Sequence, residues 1–154
     1  PMQLGIKYVE FDVPIGTAAG IRRFYEDVMG CLAKIKGKNP VCEVSIGTDQ
    51  SLRFKETRRF ESFYDGHHIA IYVANFSTPH KKLKQAGLVT EESDAHQYRV
   101  QSIVDPQTGR TLFDIEHEVR SLHHPMYNRT LINRNAEQNF FNYQRDRDSF
   151  TPTS

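Results

Sequence analysis

Cysteine is scarce: the 154 residues hold two, Cys31 and Cys42, and no CxxC. That count argues against a disulfide framework and fits two reduced, inert thiols lying in strands. Long apolar runs are missing too. None approaches the roughly 20 residues that cross a bilayer, and the opening stretch "PMQLGIKYVEFDV" alternates polar and apolar residues instead of forming a signal-peptide core. A soluble cytoplasmic protein is expected. Neither sign of charge dominates, with 20 Lys and Arg against 19 Asp and Glu and no long basic block, so no nucleic acid and no membrane surface is indicated as a partner. No Gly-rich phosphate loop, nucleophile elbow or Cys-His arrangement is present. A chain of this size buries about 70% of its unfolded surface, enough for one real core, and the partner left by these exclusions is a small molecule or another protein.

What the sequence does contain is one pattern written twice. "IKYVEFDV" alternates as a strand with Val9, Phe11 and Val13 on one face and Tyr8, Glu10 and Asp12 on the other. A helix is predicted from Thr17, its N-cap, to Gly30, with Ile21, Phe24, Tyr25, Val28 and Met29 at helical spacing. Three short strands follow, near 31–35, 41–46 and 51–56. After the polar and aromatic stretch 57–66, the order repeats: "HIAIYV" as a strand, a helix capped by Ser77 and ending at Gly87, then strands near 88–90, 98–104 and 111–119, with the turn "DPQTG" between the last two. Lys81, Lys82 and Lys84 fall on the solvent side of that second helix.

The fold class implied is α+β: two βαβββ repeats, residues 5–57 and 66–119, whose curved mixed sheets enclose a cleft with the helices outside. Together they form a domain over 1–119. Strand parity lists the cleft lining: Tyr8, Glu10 and Asp12 from the first strand, His68, Ala70 and Tyr72 from its counterpart, Arg53 and Lys55 beside buried Leu52 and Phe54, and Asp114 and Glu116 between Phe113, Ile115 and His117. His67 is out of phase with the strand and reads as a solvent-side neighbour of His68. Residues 120–154 lie outside the repeat, and their aromatics, Phe140, Phe141, Tyr143 and Phe150, suggest an extension packed on the body or on a second subunit. The histidine pair in "HEVRSLHHPMYNR" sits next to Pro125, where a solvated loop is expected. Exposed sheet edges and the aromatic tail together point to a homodimer.

Three segments, "VEFDVPIGTAAGIRRFYEDVMG", "HHIAIYVAN" and "VDPQTGRTLFDIE", resemble the vicinal oxygen chelate superfamily, which includes glyoxalase I, extradiol dioxygenases, fosfomycin-modifying enzymes and bleomycin-resistance proteins. The resemblance covers residues 5–119. Metal-binding members of that superfamily use His, Gln or Glu on the first strand of each unit and Glu on the closing strands. Carried over, those positions fall on Glu10 and His68, on Arg53, which cannot bind metal, and on either Asp114 or Glu116.

The resemblance implies a small-molecule enzyme, a lyase, isomerase or dioxygenase, with Glu10, His68 and Glu116 as ligands to Fe, Mn, Zn or Mg. Glu10 or Asp114 would be the catalytic acid or base, and Tyr8, Asp12, Arg53, Tyr72 and Tyr98 would bind substrate. The alternative is a metal-free binding or drug-sequestering protein of the bleomycin-resistance type, in which Glu10 pairs with Arg53.

Overall fold

The computed structural model describes residues 6–60, 64–127 and 137. The first unit runs β1 (Tyr8–Pro14), α1 (Ala18–Arg23) continued by a π-helical turn (Phe24–Val28), β2 (Ala33–Lys36), β3 (Val41–Gly47) and β4 (Gln50–Thr57). The second runs β5 (His68–Val73), α2 (Ser77–Gln85), β6 (Val89–Asp94), β7 (Gln97–Val104) and β8 (Thr111–Ser121). Each unit closes into a four-stranded mixed sheet of the same order, β1-β4-β3-β2 and β5-β8-β7-β6. In each, the first strand pairs parallel with the last because the intervening helix carries the chain across, while hairpins join the other three.

Thr17 holds the N-cap position of α1 as predicted, though its side chain does not cap, and the predicted cap at Ser77 is corrected. The Thr17 hydroxyl turns back to donate to the Pro14 carbonyl at 2.6 Å, and the open Ala18 amide is satisfied by Glu56 Oε1 at 2.8 Å from β4. In α2, Ser77 is already helical, and the Asn75 side chain accepts from the Thr78 amide at 3.3 Å. Gly30, at φ +71°, ends the π-helical turn in a conformation only glycine adopts freely. Cys42 is buried in β3, whereas Cys31 lies before β2; both are free thiols. Burial raises the Cys31 pKa and pushes that of Cys42 up to about 12.

One core serves both units. Val13, Ile21, Tyr25, Val44 and Phe54 of the first share it with Leu83, Val100, Ile115 and Val119 of the second, and each fully buried large side chain contributes about 1.5–3 kcal/mol. Side chains of α1 and its π-helical turn reach the second unit across this core. The Tyr25 hydroxyl reaches His117 Nε2 on β8 at 2.6 Å, Phe11 and Phe54 pack on Phe113, and Arg23 grips Asp105 in the β7–β8 turn at 2.7 Å. The start of β8 comes close enough that a Cβ on Gly20 would stand 2.6 Å from Leu112 Cδ1, so any larger residue there would make that side chain shift. The paired Arg23 guanidinium holds the Asp105 carboxyl down at about 2.

The polar faces of the two sheets look away from this shared core. Among the described residues no helix is long and apolar enough to cross a membrane. Most of the extension, including Phe140, Phe141, Tyr143 and Phe150, lies outside the described residues.

Candidate functional site

On the first sheet, Tyr8, Glu10 and Asp12 of β1 stand opposite Ser51, Arg53 and Lys55 of β4, and Glu43 of β3 stands opposite Arg53. Glu10 does not pair with Arg53: its carboxylate lies 3.7 Å from Lys55 Nζ. Arg53 instead lays its guanidinium 3.7 Å above the Tyr8 ring, a cation–π contact that flattens the fork against the sheet. Its Nε is 3.4 Å from Glu43 Oε2 but poorly aligned, and that buried N–H has no hydrogen-bond partner among the described residues. Lys36 and Lys34 approach Glu43 at 2.8 and 3.5 Å. The Lys36 hydrogen bond and the surrounding positive charge hold the Glu43 carboxyl below its usual range. Three cations around one carboxylate leave this face with a surplus of positive charge. An open cavity of about 820 Å³ lies over it, lined by Lys7, Tyr8, Lys34, Arg53 and the two acids Glu43 and Asp49 among others.

The second sheet presents the same topology with different chemistry. His68 faces the polar side with 53% of its side chain exposed, opposite Glu116 in register and 3.7 Å from Glu118. Glu118 is buried and held by two guanidiniums, Arg99 at 2.8 Å and Arg120 at 2.6 Å. Arg99 also donates to Glu116 at 2.6 Å, and Arg120 reaches Gln97 at 2.8 Å and the Tyr72 hydroxyl at 3.3 Å. Asp114 accepts from the Ser102 hydroxyl at 2.7 Å. The register therefore puts Glu116, not Asp114, at the position across from His68.

One expected site residue, Tyr98, lies elsewhere, and His67 is outside the site as expected. Tyr98 is 1% exposed under α2, with its ring between Phe76 and His80, because Tyr98 and Val100 take the inward parity of β7. Burial drives its hydroxyl pKa upward. His67 is half-exposed: its ring stacks on Phe11 and its Nδ1 lies 2.7 Å from Asp65, whose carboxyl that hydrogen bond pulls down. Glu43, Arg99, Glu118 and Arg120 were missed. Continuing the polar parity of β8 past Glu116 reaches Glu118 and Arg120, and alternation about Cys42 and Val100 reaches Glu43 and Arg99.

No protein-family profile matches the chain, and no curated protein sequence does. Solved structures do. A protein assigned to the glyoxalase family from Bacillus anthracis superposes with a TM-score of 0.54 at 20% identity, over 79% of this chain and 97% of that one. The trypanothione-dependent glyoxalase I of Leishmania major gives 0.56 at 13% identity, over 77% and 87%. The fosfomycin resistance protein FosX of Mesorhizobium loti gives 0.50 at 16% identity, over 77% and 92%. The fold is that of the vicinal oxygen chelate proteins.

In that fold the resemblance assigns metal ligation to the positions of Glu10, Arg53, His68 and Glu116. Here the donor set does not suit a divalent ion. Among the described residues no three His, Cys, Asp or Glu side chains come close enough to hold one. Arg53 brings a fixed positive charge opposite Glu10, and the Glu116 carboxylate is already engaged by Arg99. At one of these four positions, that of Arg53, a guanidinium replaces a possible ligand.

Proposed function

We propose that this protein binds a small, planar, carboxylate-bearing molecule on the polar face of the first sheet, with the Arg53 guanidinium taking the ligand oxygens in place of a metal. The observation that carries this reading is Arg53 itself: a guanidinium pinned flat on Tyr8, with an unpartnered Nε, beneath an 820 Å³ cavity of surplus positive charge. A guanidinium fork matches a carboxylate geometrically, and the Tyr8 ring offers apolar area for an aromatic body. Recognition of this kind is that of a metal-free binding or sequestering protein.

The competing reading, a metal-assisted lyase, isomerase or dioxygenase, draws on the opposition of His68 and Glu116 in register. We further propose a homodimer in which a second copy covers this face. The apolar side chains Ile6, Tyr8, Leu32 and Ile35 are all exposed, and a single chain leaves the face without a roof. Light scattering at micromolar concentration is then expected to give about twice the 17.8 kDa chain mass.

Calorimetric titration with 4-hydroxybenzoate, in the presence of EDTA, tests the site. Binding is expected to persist with the chelator and to weaken about tenfold or more in Arg53→Gln, since both donors of a bidentate contact are removed. Binding that needs added metal, or that His68→Ala removes while Arg53→Gln does not, would establish the metal-assisted reading instead.

A further inference from the structure

The histidines at the far end of the second unit are left unused by this reading, and the fold brings two of them together. His96 sits in the β6–β7 turn and His123 just past the end of β8. Their ring centroids are 6.3 Å apart. Both rings line one cavity of about 400 Å³, together with Asn75, Phe76, Ser121 and Leu122.

The local hydrogen bonds orient the pair. His96 Nδ1 meets the Ser121 hydroxyl at 3.1 Å, leaving Nε2 as its outward nitrogen. The same hydroxyl oxygen accepts from the His123 amide at 3.2 Å, so Ser121 ties both residues to one point. The His96 amide donates to Asp94 Oδ1 at 2.6 Å, which sets a carboxylate at the base of the turn. The His123 ring has no hydrogen bond among the described residues.

We infer that His96 and His123 form a binding site for an imidazole-preferring divalent transition metal, with water completing the coordination. An imidazole nitrogen binds zinc at about 2.0–2.1 Å, which places the ring centroid roughly 3.2 Å from the ion. Two such arms meeting at the tetrahedral angle span roughly 5.2 Å. The observed spacing of 6.3 Å is wider, and rotation of the exposed His123 ring toward His96 is what closes the site. Engagement of one ring nitrogen by a hydroxyl or carbonyl is the usual way a metal-binding histidine is oriented. No third protein ligand is close, because no group of three such side chains assembles among the described residues. Zn²⁺, Ni²⁺ and Cu²⁺ suit an imidazole pair, whereas Mg²⁺ and Ca²⁺ prefer oxygen. A bound ion ties the β6–β7 turn to the segment leaving β8.

The site is independent of the first sheet, and the experiment separates the two. Chelator-treated protein is titrated with Zn²⁺ by calorimetry, alongside His96→Gln, His123→Gln, His68→Ala and His80→Ala. One ion per chain is expected, weakened about tenfold or more by either glutamine substitution and changed less than about twofold by His68→Ala or His80→Ala. Long-range ¹H–¹⁵N spectra of the wild-type imidazoles give a second readout that needs no variant: Zn²⁺ is expected to shift His96 and His123 ahead of every other histidine. Absence of Zn²⁺ binding by the wild type, binding that survives the His96→Gln/His123→Gln double substitution, or loss confined to His68→Ala would overturn the assignment.

Discussion

The two units share strand order, crossover and register, yet their polar faces do opposite work. Opposite Glu10 stands Arg53; at the matching place in the second unit, opposite His68, stands Glu116. On the first face the charges are exposed and cations gather around Glu43. On the second, Arg99 and Arg120 are consumed by Glu118, whose side chain is 7% exposed. Topology fixes where a residue points; what it meets there depends on its cross-strand neighbours. Among the described residues each face leaves one guanidinium Nε without a partner, on Arg53 and on Arg99, but the other donors of Arg99, and those of Arg120, are spent on carboxylates, Gln97 and Tyr72, whereas Arg53 makes no hydrogen bond.

Removing the central carboxylate from each face breaks this comparison most sharply. Glu118→Gln leaves two guanidiniums over a partly buried network without their shared anion, and a loss of about 3–5 kcal/mol is expected in urea unfolding. Glu43→Gln removes the equivalent hub from cations whose side chains are 33–64% exposed, and less than about 1 kcal/mol is expected. Equal losses would mean that both faces are structural.

The buried sides differ by one residue at a matched position. Phe54 follows Arg53 and His117 follows Glu116, and both pack on Tyr25. His117 is buried beneath the π-helical turn, with Nδ1 on the Ile115 carbonyl at 2.9 Å and Nε2 on the Tyr25 hydroxyl at 2.6 Å. Burial depresses its pKa to about 4. The unfolded chain takes up this proton near pH 6.5 and the folded chain does not until about 4. Stability is therefore at its full value above pH 6.5 and falls as pH drops, by about 3 kcal/mol on reaching pH 4. His117→Phe, which makes the second unit match the first, is expected to flatten that slope. At pH 7 it costs about 1–3 kcal/mol, because the Tyr25 hydroxyl loses its partner. Adding Tyr25→Phe is expected to recover most of that cost. An unchanged acid slope in His117→Phe would assign the titration to another group.

Much of this was legible in the strands, since parity along β1, β5 and β8 placed Tyr8, Glu10, Asp12, His68, Asp114 and Glu116 on polar faces. Tyr98 was misplaced because an aromatic phenol reads equally well as cleft or core until the inward partners Phe76 and His80 are known. Alternation gives a residue's face but not its salt-bridge partner, which is how Glu10 came to be matched with Arg53 and not Lys55. The docking of α1 against the second unit was illegible for a related reason. A buried stripe on α1 states that something covers it, and Tyr25, Arg23 and Gly20 identify the cover only once His117, Asp105 and Leu112 are brought to them from about 80 or more residues away.

The smallest expected effect tests the first face alone. Glu10 and Lys55 form a 3.7 Å pair with 37% and 46% of their side chains exposed. Such a pair gains little Coulomb energy in high dielectric, gives up side-chain entropy and is screened by salt. Glu10→Gln is therefore expected to change stability by less than about 0.5 kcal/mol in low salt, with no measurable change at 1 M salt. The substitution also removes a negative charge from the strand position opposite Arg53, so 4-hydroxybenzoate affinity should rise slightly, by about twofold or less. Both signs follow from an open cationic face whose acids oppose the ligand. A Glu10→Gln protein destabilised by 2 kcal/mol or more, or one with weakened carboxylate binding, would show Glu10 holding Arg53 in place, and the first face would then be a structural network like the second.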